Sequence, residues 1–504
     1  MGTAYSKPAV APSEKHPSPL LYIDNDVTES ESPPPYHPED PAPEREHTST
    51  LTLSTVKSWT DSLLRDPKNR LAITTLNSQP YPAVLTNPTT PTTALHIFNL
   101  TIPNEGAPIT NQHSSGRCWL FASTNIFRLP LMQTYNLKDF QLSQAYLFYW
   151  DKLEKANYFL EQILQTAQLD ISDRLVQKLL ADPVTDGGQW DMVVNLVRKY
   201  GLVPGAVYPD NYHAKNSAKM NGLVTAKLRE QGLILRRLVR EQGGKGVAGR
   251  KEEFLQEIHA LVTILLGPAP RPDEEFVWQF YDADHKARRV RVSPREFAKG
   301  VNTETAVRRR AGRGLGSVAP ARWFSLVNDP RNEYMRLLTV ERLGNVVEGR
   351  ALRYVNVEMK VLKTAVIAML RAGQPVFFGC DVGKFSDTAR GVMDADLTEL
   401  SLAFNVTLGM TKAERLASGE SAMTHAMVIT GVHIEEGRPV RWRVENSWGE
   451  AAGDKGWFVM MDRWMDEYTF QAVVDVEFVS AEVRAVLDQE PKVLPRWDPL
   501  GVLA

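Results

Sequence analysis

The chain has 504 residues, 43% of them apolar and 23% charged, with a formal net charge of −2. That length accommodates two or three structural units around a large core, and the near-neutral charge excludes a global attraction to nucleic acid or anionic membrane, leaving only local patches. Two cysteines, Cys118 and Cys380, are too few for the disulfide framework of a secreted chain of this size and point to a reducing, cytoplasmic compartment, in keeping with the absence of a run of about 18 apolar residues or of a secretory-signal core.

The opening Met1-Gly2-Thr3-Ala4-Tyr5-Ser6 fits the N-myristoylation pattern with Gly2 as acceptor, and one such chain would hold a membrane only marginally. Residues 1–50 carry ten of the 32 prolines and few large apolar side chains, the composition of a disordered tail. Within it, Pro33-Pro34-Pro35-Tyr36 matches the short ligand of a WW-domain partner.

Order is expected from about residue 51, and a second, helix-rich unit from about Pro103; residues 51–234 form the helical part that carries Cys118. Cys118 opens a helical pattern, with apolar residues at 119, 122, 126 and 129, that Pro130 should interrupt. A longer helix is expected over residues 142–164, with Ser143 as its N-cap. Residues 235–349 change character and read as an insertion. Its segment 284–314 holds ten Lys or Arg against three Asp or Glu, densest at Arg308, Arg309, Arg310 and Arg313, and reads as basic and partly flexible. Such a patch suits phosphate contacts with nucleic acid; a solvated charged loop is the plainer reading. From about 350 to 485 short apolar and alternating runs predict strands at 375–380, 426–432, 441–444 and 456–460. The chain is therefore expected to be α+β, helical in its first half and sheet-rich in its last third.

The chemistry concentrates around Cys118. Polar turn residues, Gln112 to Arg117, precede it and a helix follows, so its thiol should sit at a helix N-terminus, where backbone N–H groups and the helix dipole favour a thiolate. A thiolate needs a proton acceptor, most often a histidine. His425 begins an apolar strand, and Asn446 follows the next strand in Glu445-Asn446-Ser447-Trp448-Gly449. Neighbouring strands could bring the Asn446 oxygen to the imidazole N–H, fixing tautomer and ring plane, with Trp448 covering that bond. The Gln112 side-chain amide and the Cys118 N–H could together form an oxyanion hole. Taken singly, each of these residues has a plainer structural reading. No closely spaced His/Cys/Asp/Glu set calls for a metal, and no cofactor is expected.

Together these residues resemble the papain-like cysteine peptidases and, more closely, their bleomycin hydrolase branch. Further stretches share the resemblance: Asp186-Gly187-Gly188-Gln189-Trp190-Asp191-Met192, Gly379-Cys380-Asp381-Val382-Gly383-Lys384, Lys412-Ala413-Glu414-Arg415-Leu416, and the closing Leu494-Pro495-Arg496-Trp497-Asp498-Pro499-Leu500-Gly501. The resemblance covers about residues 70–504 outside the basic insertion. It implies a papain-like fold with inserted helical segments, a cytosolic aminopeptidase, and a homohexamer whose active sites face an internal chamber. It also implies a C-terminal arm, residues 486–504, lying in the cleft with Ala504 as the anchor for a substrate's free amino group. Gly187 and Gly188 resemble the family's substrate-binding loop, an ordinary turn being the competing reading. Hydrolysis of bleomycin and of homocysteine thiolactone would be side activities. Two readings compete with this one: a nucleic-acid-binding scaffold that keeps a peptidase fold, and an acyltransferase using the same Cys-His logic.

Overall fold

The computed structural model describes residues 50–302 and 322–503. Gly2, Pro33 to Tyr36, the arginines at 308, 309, 310 and 313, and Ala504 lie outside the described residues. The chain divides at Asp66/Pro67 rather than near Pro103: Met1–Asp66 is one unit and Pro67–Ala504 the other. The described part of the first unit is helix α1 (Leu53–Arg65), whose N-cap Thr52 accepts from the Thr55 N–H. Everything below belongs to the second unit.

After α2 (Pro67–Leu76), the helical half comprises α3 (Cys118–Tyr135), α4 (Gln144–Gln165), α5 (Arg174–Ala181), α6 (Trp190–Tyr200), α7 (Ala218–Gln242) and α8 (Val247–Leu266). Helix α4 begins where the Ser143 hydroxyl accepts the Tyr146 N–H at 3.0 Å, as its cap chemistry predicts. Helix α3 departs from expectation. It runs through Pro130 and ends only at Asn136, which adopts a left-handed conformation. The missing N–H of Pro130 costs one intrahelical bond, but Leu129, Leu131 and Met132 on either side are buried in the core, and their packing holds the last turn in place.

The boundary expected at 235 falls inside α7, so residue 235 marks no break in the chain. A glycine-rich loop at residues 243–246 joins α7 to α8, with Gly243 at φ 58. The described part of the basic segment, residues 284–302, holds strand β2 (Ala287–Val292), which forms a hairpin with the preceding β1 (Phe276–Tyr281), and α9 (Pro294–Asn302). Several of its charges are matched locally, Arg288 to Asp282 at 2.7 Å and Arg295 to Asp273 at 2.9 Å.

The sheet-rich part contains β3 (Trp323–Val327), β4 (Arg336–Val340), β5 (Tyr354–Asn356), helix α10 (Met359–Arg371), β6 (Val376–Cys380), β7 (His425–Glu435), β8 (Arg438–Glu445), β9 (Trp457–Met461), β10 (Thr469–Asp475) and β11 (Lys492–Leu494). They belong to one twelve-stranded sheet whose main order is β11-β4-β5-β3-β10-β6-β7-β8-β9. Its centre is antiparallel, and every residue of β3, β6 and β10 is buried, which is why β6 reads as a continuous apolar run rather than an alternating one; in β3 and β10 the buried Ser325 and Gln471 side chains bond each other at 2.8 Å. Helix α3 packs on β7, bringing the first third of the chain against the last. The stacked Trp190 and Trp323 rings, 5.6 Å apart, join α6 to β3 in the same core.

Candidate active site

Cys118 is the first residue of α3 and is buried. The turn before it is held from three directions. The Gly116 N–H donates to Asp186 Oδ2 at 3.0 Å. The Arg117 guanidinium, itself buried, makes a two-pronged pair with Asp210, 2.8 Å on each side. The Gln112 N–H donates to the Ser447 carbonyl at 2.8 Å, and the Ser447 hydroxyl donates to Gln112 Oε1 at 2.8 Å. Three anchors on a six-residue turn leave the thiol little freedom, which is what a positioned nucleophile requires.

On the facing sheet, His425 is the first residue of β7 and pairs in register with Cys380 of β6. Strand β8 pairs with β7 and delivers Asn446 at its end. His425 Nε2 and Asn446 Oδ1 are 2.9 Å apart, both residues buried. The same Oδ1 accepts the Ser447 N–H at 2.8 Å, so this atom is the amide oxygen, and Nε2 must carry the proton. Nδ1 is thereby left as the free, basic nitrogen. Trp448 lies over the imidazole, ring centroids 4.9 Å apart, in the covering position expected of it.

The sulfur of Cys118 is approached by the backbone N–H groups of Ala426, Trp119 and Cys118 itself. Ala426 directly follows His425, so the thiol lies against the strand residue next to the imidazole. Burial pushes the Cys118 thiol up to about 11, opposed by those N–H groups, and burial pulls His425 down to about 4, opposed by the Asn446 bond. Each group alone is thus driven to its neutral form by desolvation; a thiolate–imidazolium pair is stable here only when both charges form together.

Gln112 offers the remaining polar group. One Nε2 hydrogen goes to the Ser115 carbonyl at 2.7 Å, and a primary amide has a second. Because Ser447 grips both its side chain and its backbone, the Gln112 amide is tied to the same residue that holds Asn446 Oδ1.

Gly187 and Gly188 are both buried. A Cβ on Gly188 would come 2.5 Å from the Trp119 indole, so packing against the residue after the nucleophile accounts for this glycine. The Gly187 carbonyl accepts from Lys155 Nζ at 2.6 Å. The neighbouring Asp186 is the hub. Its carbonyl accepts the Trp119 indole N–H at 2.6 Å, and its carboxylate takes Lys152 Nζ at 2.7 Å, Asn221 Nδ2 at 2.6 Å, the Ser217 hydroxyl and the Gly116 N–H. Burial alone would raise this carboxyl; the Lys152 charge and these donors outweigh it and hold it well below the usual carboxylate range. The described part of the C-terminal arm reaches this region. Strand β11 pairs with β4, Asp498 pairs with Arg331 at 2.9 Å, and the Val502 carbonyl accepts from Gln189 Nε2 at 3.0 Å, one residue beyond Gly188.

The residues expected to assemble therefore do so: Cys118, Gln112, His425, Asn446 and Trp448 converge. His113 is exposed and apart from this hydrogen-bonded set, its N–H donating to Asn111 Oδ1. Three supporting residues had no role assigned from sequence. Asp186 stood in a motif already singled out, and Ser447 stood beside Asn446, so both had a signal. Asp210, a lone acid in a loop, had none. Among the described residues, no group of three or more His, Cys, Asp or Glu could hold a metal ion, and no helix is long and apolar enough to cross a membrane.

A thiol at a helix N-terminus beside an amide-oriented histidine is the arrangement of a papain-like cysteine peptidase, and comparison with known proteins agrees. A family model described as the Peptidase C1-like family matches residues 50–501, and the chain belongs to that family. It is 41% identical over 466 residues to Saccharomyces cerevisiae "Cysteine proteinase 1, mitochondrial", covering 90% of this chain and 93% of that one. It is 40% identical to "Aminopeptidase C" of Listeria innocua over 90% of this chain and 99% of that one, and 43% identical to "Bleomycin hydrolase" of Rattus norvegicus over 82% and 89%. The crystal structure of PepW from Lactobacillus rhamnosis superposes with a TM-score of 0.84 at 37% identity, covering 90% of this chain and all of that one. The papain-like fold and the family expected from the residues are both met.

Proposed function

We propose that the protein is a cysteine aminopeptidase that hydrolyses the first amide bond of peptides, with Cys118 as nucleophile, His425 as acid and base, Asn446 as its orienting partner and Gln112 as an oxyanion donor. The observation that carries this reading is the 2.9 Å His425–Asn446 bond, which leaves Nδ1 basic on a strand whose next N–H, that of Ala426, reaches the Cys118 sulfur. The Cys118 thiol passes its proton to His425, and the thiolate adds to the scissile carbonyl carbon. The resulting oxyanion takes hydrogen bonds from the Cys118 N–H and the second Gln112 hydrogen. The imidazolium then protonates the departing amine as the C–N bond breaks, leaving a thioester. His425 next removes a proton from water, which attacks the thioester and releases the acid and the thiolate.

Gln112→Ala is expected to lower kcat by about 10²–10³ with KM little changed, the usual cost of one such donor. Steady-state kinetics on aminoacyl fluorogenic amides would read it, and a kcat within a factor of about three of wild type would remove Gln112 from the oxyanion hole.

Restriction to the N-terminal residue follows from the arm. Its carbonyl at Val502 is fastened to Gln189, next to Gly188, which supports an arm lying along one side of the cleft, and an anion at its end, Ala504 in this reading, would reward a substrate ammonium. Gly187 and Gly188 form the floor beside it. Free-amine amides are expected to turn over and their N-acetylated forms not, while a variant ending at Leu494 cleaves both. Equal cleavage of both by the full chain would keep the peptidase and discard the arm. Hydrolysis of bleomycin, which the Rattus norvegicus relative's name carries, and of thiolactones, whose acyl group the same thiolate would take, belongs to this reading.

A homohexamer is part of the reading, supported by exposed apolar side chains at Tyr81, Leu402, Phe404, Val406 and Leu408, of the kind that mark contact surfaces; light scattering tests it. The two free cysteines suit a reducing, cytoplasmic setting. Neither the described residues nor the relatives support the scaffold alternative.

A further inference from the structure

A cavity of about 220 Å³ lies behind the C-terminal arm, walled by α4 (Tyr158, Phe159), α5 (Lys178, Leu179), the turn at Arg342, and the arm itself (Arg496 and residues 501–503). Its wall holds four cationic residues, Lys155, Lys178, Arg342 and Arg496, against one acid, Asp182. Lys155 is matched by Asp151 at 2.7 Å, and Lys178 stands 3.8 Å from Asp182. The two guanidinium groups are matched less completely. Arg342 Nη1 donates to the neutral Gln162 and Gln165 side chains at 2.6 and 2.5 Å, and its one nearby carboxylate is Glu341 at 3.5 Å. Arg496 donates Nη1 to the Gly501 carbonyl at 3.3 Å and has no carboxylate within ion-pair distance among the described residues. The Arg496 Nε is buried without a hydrogen-bond acceptor among the described residues, while the Arg342 Nε faces only the Glu341 carboxylate at 3.5 Å.

A buried donor with no acceptor is costly, and the guanidinium fork matches phosphate and carboxylate oxygens better than any other side chain does. The void exceeds the roughly 30 Å³ share of a single water several-fold, and Phe159 and Leu179 line it with apolar surface. We propose that this cavity is a binding site for a phosphate-bearing anion, held between Arg342 of the body and Arg496 of the arm. Because Arg496 also holds the Gly501 carbonyl, a bound anion would fasten the arm to the body, making the arm's hold on the cleft depend on anion concentration; this consequence rests on the aminopeptidase reading above.

Isothermal titration calorimetry of the full-length protein with inorganic phosphate and with phenyl phosphate, at constant ionic strength in chloride buffer, tests the site. Saturable binding is expected, tighter for phenyl phosphate if the natural ligand is a phosphomonoester and equal for both if it is free phosphate. Arg496→Gln and Arg342→Gln should each weaken it by about tenfold or more. Arg342 lies outside the arm, so one variant remains informative if the other fails to fold. No saturable heat, or unchanged affinity in the folded variants, would overturn the site. Binding that emerges only after residues beyond Leu503 are removed would do so too, by assigning both guanidinium groups to the chain's own C-terminal segment. Calorimetry reads binding without turnover, so this failure and a failure of the aminopeptidase reading are separable.

Discussion

Cys118→Ala is expected to lower kcat on free-amine aminoacyl amides by on the order of 10⁵–10⁶, as removal of a triad nucleophile does in other peptidases. The side chain is small and lies at the start of α3, where the backbone anchors of the preceding turn are untouched, so the fold should survive. His425→Ala should cost nearly as much, and the double variant little more than either single one. The physical reason is the opposed pair of shifts. With the thiol pushed up to about 11 and the imidazole pulled down to about 4 by burial, neither group ionises usefully at neutral pH without the other, so the two act as one unit and their losses do not add. Single-turnover kinetics on all three variants would check this. Residual thiol-independent turnover above about one per cent, or simple additivity of the two losses, would sink the paired-nucleophile account.

The second large effect lies beneath the site. Glu445, the last residue of β8 and the neighbour of Asn446, is buried against α3: its Oε1 takes Arg128 Nη2 at 2.7 Å and Asn125 Nδ2 at 2.9 Å. Arg128 is itself fully buried and donates to the Pro108 carbonyl at 2.7 Å. This group clamps the nucleophile's helix to the strand that carries the orienting asparagine. Glu445→Ala strands the Arg128 charge and is expected to destabilise the protein by about 3–5 kcal/mol, the usual cost of breaking a buried pair from one side. A denaturant midpoint that moves by less than about 1 kcal/mol equivalent would show that the clamp is not structural.

The pH dependence has a definite sign. Burial pushes the Glu445 carboxyl up to about 7, against the pull of Arg128. Between its unfolded value near 4.5 and that folded value, the folded state holds more protons than the unfolded one, so stability falls as pH rises through this window and levels off above it. Each unit of separation is worth about 1.4 kcal/mol. Glu445→Gln keeps an acceptor for Arg128 and Asn125 and should flatten this slope. Thermal melts between pH 5 and 7.5 that keep the same slope in the glutamine variant would assign it to another group.

Local chemistry was legible in the residues because it depends on short-range rules. A polar turn followed by an apolar 3.6-residue period placed Cys118 at a helix start, the Ser143 cap set where α4 begins, and apolar runs located β6 and β9 to within one residue and β7 and β8 to within three. The triad candidates came from residue type and local setting, since a thiolate needs a base and a base needs an orienting acceptor whatever the fold. Other features were decided by contacts between residues far apart in the chain, which no local period encodes. Pro130 sits inside α3 because buried neighbours outweigh its missing hydrogen bond. Gly188 is glycine because Trp119 occupies the space its Cβ would fill. Asp186, Asp210 and Glu445 hold the nucleophile's turn and helix across 70, 93 and 317 residues of chain respectively, and a carboxylate acquires such a role only when folding removes its water and leaves one cationic partner or a few donors in reach. The sequence by itself thus determined which chemistry is present and on which elements, whereas the tertiary structure alone decided what holds that chemistry in register.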